Sequence, residues 1–146
     1  MLTRAQFTNT NGDPSPKVTK CNDKRCGTCP HIIEGNEFTF ENGQKFKVKC
    51  NMDCSSKNVI YAIKCTKCNK SYIGQTTYLR GRVRVHKQQI NDNNLRHLEV
   101  SKHIAQCGNG DFQVYPFYKI HENADSNLDA KERFFISKYC PSLNKQ

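Results

Sequence analysis

The stretch Val59-Ile60-Tyr61-Ala62-Ile63-Lys64-Cys65-Thr66-Lys67-Cys68-Asn69-Lys70-Ser71-Tyr72-Ile73-Gly74 decides the fold. β-Branched and aromatic residues fill both ends, and such residues favour a pleated, half-buried surface. Val59–Ile63 reads as one strand and Ser71–Gly74 as a second. Between them, Cys65-x2-Cys68 with Asn69 and Lys70 reads as a tight hairpin knuckle. Tyr61 and Tyr72 then lie on adjacent strands. They either face one cleft or serve only as packing.

Downstream, residues 77–90 (TYLRGRVRVHKQQI) place Leu79, Val83 and Ile90 on one stripe opposite a basic face, the pattern of an amphipathic helix. Gly81 weakens it by lowering helix propensity. A shorter helix is expected over 95–106. Residues 112–120 read as a third strand, where Pro116 implies an edge or a bulge because it cannot donate to a ladder. Ser126 or Asn127 can cap a last helix through about Lys138. The expected fold is α+β, a small three-stranded antiparallel sheet flanked by helices over residues 59–146.

Upstream, residues 1–20 are polar and contain Asn11-Gly12-Asp13-Pro14-Ser15-Pro16, read as a flexible leader. Residues 21–58 hold Cys21, Cys26, Cys29, Cys50 and Cys54 with short alternating runs at 37–40 and 45–49. They read as a Cys-rich, zinc-stapled hairpin. The 146-residue length suits one domain plus a small appendage.

Nine cysteines, an odd number, and a polar N-terminus without an apolar h-region argue against a disulfide scaffold. Clustered thiols then point to zinc. Cys65-x2-Cys68 with His103-x3-Cys107 supplies two thiolates on a knuckle and a His/Cys pair one helical turn apart, a four-ligand CCHC site. The separation between its halves is long, so the second half must pack back on the hairpin. Cys21-x4-Cys26-x2-Cys29 with Cys54 is the preferred second set, although Cys50 and His31 compete. Bound zinc would supply folding free energy that a Gly/Asn-rich segment lacks. Cys140 reads as a core thiol.

The net charge is +10, with 23 Lys and Arg against 13 Asp and Glu. Residues 59–146 hold fourteen of the cations and seven of the acids. A basic protein with zinc-like clusters points to a polyanionic partner, foremost nucleic acid. No run approaches the roughly 18 apolar residues of a membrane span, so no membrane partner is expected.

In the last helix Leu128, Glu132, Phe135, Ile136 and Tyr139 share one stripe. A carboxylate there is costly unless it is paired or bound to a cation. In the first helix Arg82 and His86 are i, i+4 neighbours and project together. The bland readings are a rim salt bridge for Glu132 and a solvated basic face for Arg82 and His86.

Taken in order, Val59-Ile60-Tyr61, Tyr72-Ile73-Gly74, Arg82, His86, Glu132 and a late Asn144 resemble the GIY-YIG nuclease family over residues 59–146. Val59 stands where the family has its first Gly, a backbone-packing position. The CxxC between the two motifs, the downstream His-x3-Cys and the leading Cys-x4-Cys-x2-Cys-Pro look like the endonuclease of Penelope-like retroelements. The resemblance implies metal-dependent hydrolysis of a DNA phosphodiester, with Tyr61, Tyr72, Arg82, His86, Glu132 and Asn144 as the catalytic set and Asn144 as its polar anchor. Glu132 would ligate Mg²⁺ or Mn²⁺, an ion that takes only one or two carboxylates. Tyr61 would position or deprotonate water, which needs a nearby cation to lower a phenol pKa of about 10. Arg82 offers a fork for the scissile phosphate. Tyr72 and His86 would orient water or phosphate. Arg80, Arg84, Lys87, Arg96 and His97 are expected to contact DNA, mostly at backbone phosphates. The resemblance further implies nuclear residence, and a reverse transcriptase domain or retroelement RNA as partners. The alternatives are a non-catalytic zinc-containing nucleic-acid-binding module and a scaffold whose basic face binds an acidic protein.

Overall fold

The computed structural model describes residues 15–95, 98–107, 109–121 and 127–144. Arg96, His97 and Ser126 lie outside the described residues, as does most of the expected leader. Five strands and three α-helices follow in chain order: β1 (Glu37–Thr39), β2 (Lys45–Lys47), β3 (Val59–Cys65), β4 (Ser71–Thr76), α1 (Leu79–Asn91), α2 (Glu99–Gln106), β5 (Phe112–Lys119) and α3 (Leu128–Tyr139).

The central sheet has the order β4-β3-β5 and is antiparallel throughout. The hairpin expected at 59–74 forms with Ile63 opposite Tyr72 and Tyr61 opposite Gly74. Its knuckle closes through Cys65 N–H to Lys70 O at 3.0 Å, with Asn69 at φ 65°. Asn tolerates that left-handed conformation better than most side chains. Pro116 sits on the edge strand β5 opposite Tyr61, next to a register shift at Ile60/Tyr61. Both expectations for this proline are therefore met, since neither place demands an N–H.

Helix α1 forms despite Gly81, because Leu79, Val83 and Ile90 are buried along one stripe. His86 is buried on the same stripe. Helix α2 begins at Glu99, after a 3₁₀ turn at Asn93–Leu95. Asn127 caps α3, its side chain accepting from Ala130 N–H at 3.1 Å. Cys140 is not the core thiol expected. It is exposed, because α3 ends there in a left-handed cap at φ 49°, ψ 53°, which turns the residue out of the helix.

The Cys-rich segment shares one core with the rest. Phe38 stacks on Tyr115 and Phe40 on Tyr139, with centroids 5.1 and 3.8 Å apart. Phe46 packs edge-on against Phe117 and Phe135. Packing begins within the segment read as leader: Val18 is fully buried and its backbone pairs with Gly35. Glu41 closes the far end, accepting from Ser71 and Ser142.

Candidate active site and metal centres

Tyr61 and Tyr72 project from the same sheet face, as register dictates for Tyr61 opposite Gly74 and Tyr72 two residues away on β4. Their ring centroids are 6.4 Å apart. Gly74 makes this possible. A Cβ built there would meet Tyr61 Oη at 2.7 Å and Tyr72 Cε2 at 2.8 Å. The glycine of the second motif is thus a space requirement rather than a backbone-angle requirement.

Helix α1 lays Arg82 and His86 over the two phenols. His86 Nε2 is 2.7 Å from Tyr61 Oη, and Arg82 Nε donates to the same oxygen at 3.4 Å. Tyr61 is fully buried and His86 is 1% exposed. Burial, aided by the Arg82 charge, pushes the His86 imidazole down to about 3, so it is neutral at physiological pH. Among the described residues its Nδ1 is buried without a hydrogen-bond partner. Protonation would bury a charge beside the Arg82 guanidinium, so the ring stays neutral. Burial also pushes the Tyr61 phenol up, against the pull of Arg82. Tyr61 is therefore a neutral phenol in this environment.

Glu132 comes from α3, half-buried on the stripe with Phe135 and Tyr139. Gln75 Nε2 donates to Glu132 Oε1 at 3.2 Å and also to Asp129 Oδ1. Burial raises the Glu132 carboxyl and the adjacent Asp129 charge adds to it, while Gln75 and Arg82 oppose the rise. The Glu132 charge reaches both Tyr61 and Tyr72. Tyr61, Tyr72, Arg82 and His86 thus pack together on one sheet face under α1, with Glu132 of α3 within electrostatic reach of both phenols. An inward carboxylate held by one amide and paired with a second carboxylate is a donor set that suits a hard divalent cation.

Asn144, expected as a polar anchor of the site, bonds to the backbone of β4. Its Oδ1 accepts from Ile73 N–H and its Nδ2 donates to Ile73 O, both at 2.8 Å. The side chain thus substitutes for a neighbouring strand on the free edge of β4, between Tyr72 and Gly74. It holds the strand that carries Tyr72 and Gly74. Gln75, Asp129 and Gly74 were not singled out from the sequence as polar or steric partners. The i, i+3 spacing of Asp129 and Glu132 was the available signal.

Among the described residues, two groups of side chains have ligand atoms within 4.8 Å of one another: Cys21, Cys26, Cys29 and Cys54, and Cys65, Cys68, His103 and Cys107. Zinc–sulfur bonds of about 2.3 Å in a tetrahedron put sulfurs roughly 3.8 Å apart. Cys21 Sγ–Cys29 Sγ and Cys29 Sγ–Cys54 Sγ are both 3.5 Å, and Cys65 Sγ–Cys107 Sγ is 3.9 Å. Cys68 Sγ lies 3.1 Å from His103 Nε2. The donors fit zinc in both places. The competitors are otherwise engaged: His31 Nδ1 pairs with Phe112 O at 3.0 Å and its ring stacks on Phe112, while Cys50 lies beside Lys119.

Arg80, expected to contact DNA, has its guanidinium at the first cysteine cluster. Its Nη2 donates to Cys21 Sγ at 3.2 Å and Nη1 to Tyr78 Oη at 3.1 Å. Burial alone would raise the Cys26 thiol, but the backbone N–H groups of Thr28 and Cys29, then Cys21 and Arg80, bring it down to about 6. A guanidinium is drawn to a cluster of thiolates as to any anion. Arg84 is exposed, and Lys87 Nζ donates to Gly27 O at 3.4 Å. No helix among the described residues is long and apolar enough to cross a membrane.

No curated protein and no solved structure matches the chain significantly. The family model described as the GIY-YIG catalytic domain matches residues 57–146, which contain every residue of the cleft. The chain therefore belongs to the GIY-YIG family, whose members are nucleases.

Proposed function

We propose that this protein is a divalent-metal-dependent DNA endonuclease, and that Tyr61, Tyr72, Arg82, His86 and Glu132 carry the reaction. The observation that supports it best is the inward carboxylate of Glu132 within electrostatic reach of Arg82 and both phenols. Glu132 would hold Mg²⁺ or Mn²⁺, with Asp129 beside it. Such an ion, when bound, supplies charge for the phosphate and acidifies a coordinated water.

The remaining chemistry belongs to the side chains. Phosphodiester hydrolysis needs an oriented water, a neutralised phosphate and a stabilised leaving oxygen. Arg82 has a planar fork that donates to Tyr61 and also engages Tyr72, and its charge would neutralise a phosphate brought beside the two phenols. The Tyr61 oxygen orients the attacking water. It is held by Arg82 and by the neutral imidazole of His86, which can exchange the phenol proton. Burial opposes a resting phenolate, so a proton leaves Tyr61 only when positive charge gathers in the cleft. Tyr72 closes the cleft on the other side. Asn144 fixes β4 and acts through Tyr72 and Gly74.

The two cysteine clusters would each hold a structural zinc. The Cys65 site ties the β3–β4 knuckle to α2, and the Cys21 site ties the N-terminal loop to α1 through Arg80. By resemblance to Penelope-like retroelements, the cut would be a nick at a retroelement target, made in the nucleus, with a reverse transcriptase domain as partner. The 3′-hydroxyl left by such a nick would serve as a primer. Incubation of supercoiled plasmid with Mg²⁺ or with a chelator tests the reading. Metal-dependent conversion to open circles is expected. Intact plasmid at every metal tested would leave the non-catalytic binding module as the better account.

A further inference from the structure

We propose that the groove between the Cys26–Cys29 loop and the outer face of α1 binds a nucleic-acid phosphate backbone, making the N-terminal cysteine segment part of the substrate-holding surface. The nuclease reading enters only in the choice of nucleic acid as the polyanion. The groove has a volume of about 780 Å³. Arg25 and Gly27 stand on one wall, Arg84 and Lys87 on the other, and Arg80 lies between.

The charges do not cancel locally. Arg80 is turned to Cys21 Sγ, so its charge is offset by the cysteine cluster. Among the described residues three cations remain, Arg25, Arg84 and Lys87, against the single lining carboxylate of Asp92. That carboxylate is itself engaged, accepting from Asn94 N–H at 2.9 Å. A merely solvated basic face would spread its charges along one helix. Here cations from segments about sixty residues apart in sequence converge on one concavity. The walls are held together, because Lys87 Nζ donates to Gly27 O at 3.4 Å. Arg25 and Arg84 are exposed, with guanidinium groups that suit repeated phosphates.

The geometry also says which part of a substrate lies there. At 100° per residue, Arg84 and Lys87 lie on the side of α1 away from Arg82 and His86. A backbone in the groove is thus about one helix diameter, roughly 10 Å, from the cleft. It is the duplex flanking the cut, not the scissile phosphate.

Fluorescence anisotropy with a labelled duplex over a salt series tests this, using the full chain, Arg25→Ala, Arg84→Ala and, as a charge-matched control outside the groove, Lys45→Ala. Both arginines are exposed, so their removal leaves packing alone. We expect each groove variant to weaken binding several-fold and to lower the slope of log K against log salt by about 0.9 for each phosphate no longer neutralised. Lys45→Ala should do neither. Parent-like affinity and slope in Arg25→Ala would overturn the proposal. So would equal losses in Lys45→Ala, which would mean net charge alone. Polyglutamate competing as well as DNA at equal charge would also overturn it, in favour of an acidic protein partner. Plasmid cleavage by the parent is scored separately. A reduced slope in the groove variants without cleavage by the parent would sink the nuclease reading and leave the groove standing.

Discussion

Tyr61 Oη and His86 Nε2 are 2.7 Å apart, and neither residue is exposed beyond 1%. The pair is buried under Arg82 from the same helix, faces Tyr72 across the sheet and lies within the field of Glu132 from α3. A histidine held neutral this way makes stability depend on pH. Its folded pKa of about 3 lies below the ordinary value of 6.5. Between those values the unfolded chain binds the extra proton, so stability rises with pH there. The contribution is complete above about pH 6.5 and is lost as pH falls toward 3. Urea midpoints of the parent should drop more steeply from pH 7 to 5 than those of His86→Gln. Both proteins keep the same cysteine sites, so their difference isolates the imidazole. Parallel slopes would show that His86 titrates normally.

Gly74→Ala should damage the site more than its single methyl suggests. The added carbon falls 2.7 Å from Tyr61 Oη and 2.8 Å from Tyr72 Cε2, and both rings are packed. Overpacking of this kind costs about 1–3 kcal/mol. The expected result is a lower urea midpoint together with weaker plasmid cleavage. A variant as stable and as active as the parent would show that the two rings have room to move.

Asn144→Ala should leave Ile73 N–H and C=O on the edge of β4 without their partners. Each unsatisfied buried group costs about 1–3 kcal/mol, less where water reaches it. Asn144→Asp keeps the acceptor and loses the donor, so it should fall between parent and alanine. Thermal melts of the three rank them. DNA affinity should hold in all of them, because the side chain faces backbone rather than the cleft.

Metal analysis of the purified chain should give two zinc ions. Cys54→Ser should retain about one, lost from the N-terminal cluster, and His103→Ala about one, lost from the knuckle. Loss of the first should also loosen the N-terminal end of α1, since Arg80 is tied to Cys21. Hydrogen exchange at residues 79–83 should therefore speed up in Cys54→Ser and stay near parental in His103→Ala. Equal exchange in both would detach the cysteine cluster from α1.

The order of these elements was legible because hydrophobic spacing is local. Val59–Ile63, the stripe at Leu79, Val83 and Ile90, and the cap at Asn127 all depend on neighbours within a few residues. Glu132 was legible as an anomaly, a carboxylate on an apolar stripe. What the chain order hid is long-range pairing of polar groups. Arg80 has the charge of a phosphate ligand, and nothing nearby in sequence shows that Cys21, 59 residues earlier, captures it. Asn144 reads as a polar anchor, but what it anchors is hidden, because its partner Ile73 is 71 residues away. Cys140 reads as a core thiol, whereas the left-handed cap that ends α3 leaves it exposed.

The central claim is that Glu132 and Arg82 act on a bound phosphate in the cleft rather than brace the fold. Single-turnover plasmid cleavage with Mg²⁺, measured for the parent, Glu132→Ala and Arg82→Ala alongside their DNA affinities and melting temperatures, tests it most directly. The account predicts that both variants fold and bind DNA, yet cleave at least about a hundredfold more slowly, as for loss of an electrostatic catalytic group. Cleavage at the parental rate by either folded variant would contradict it.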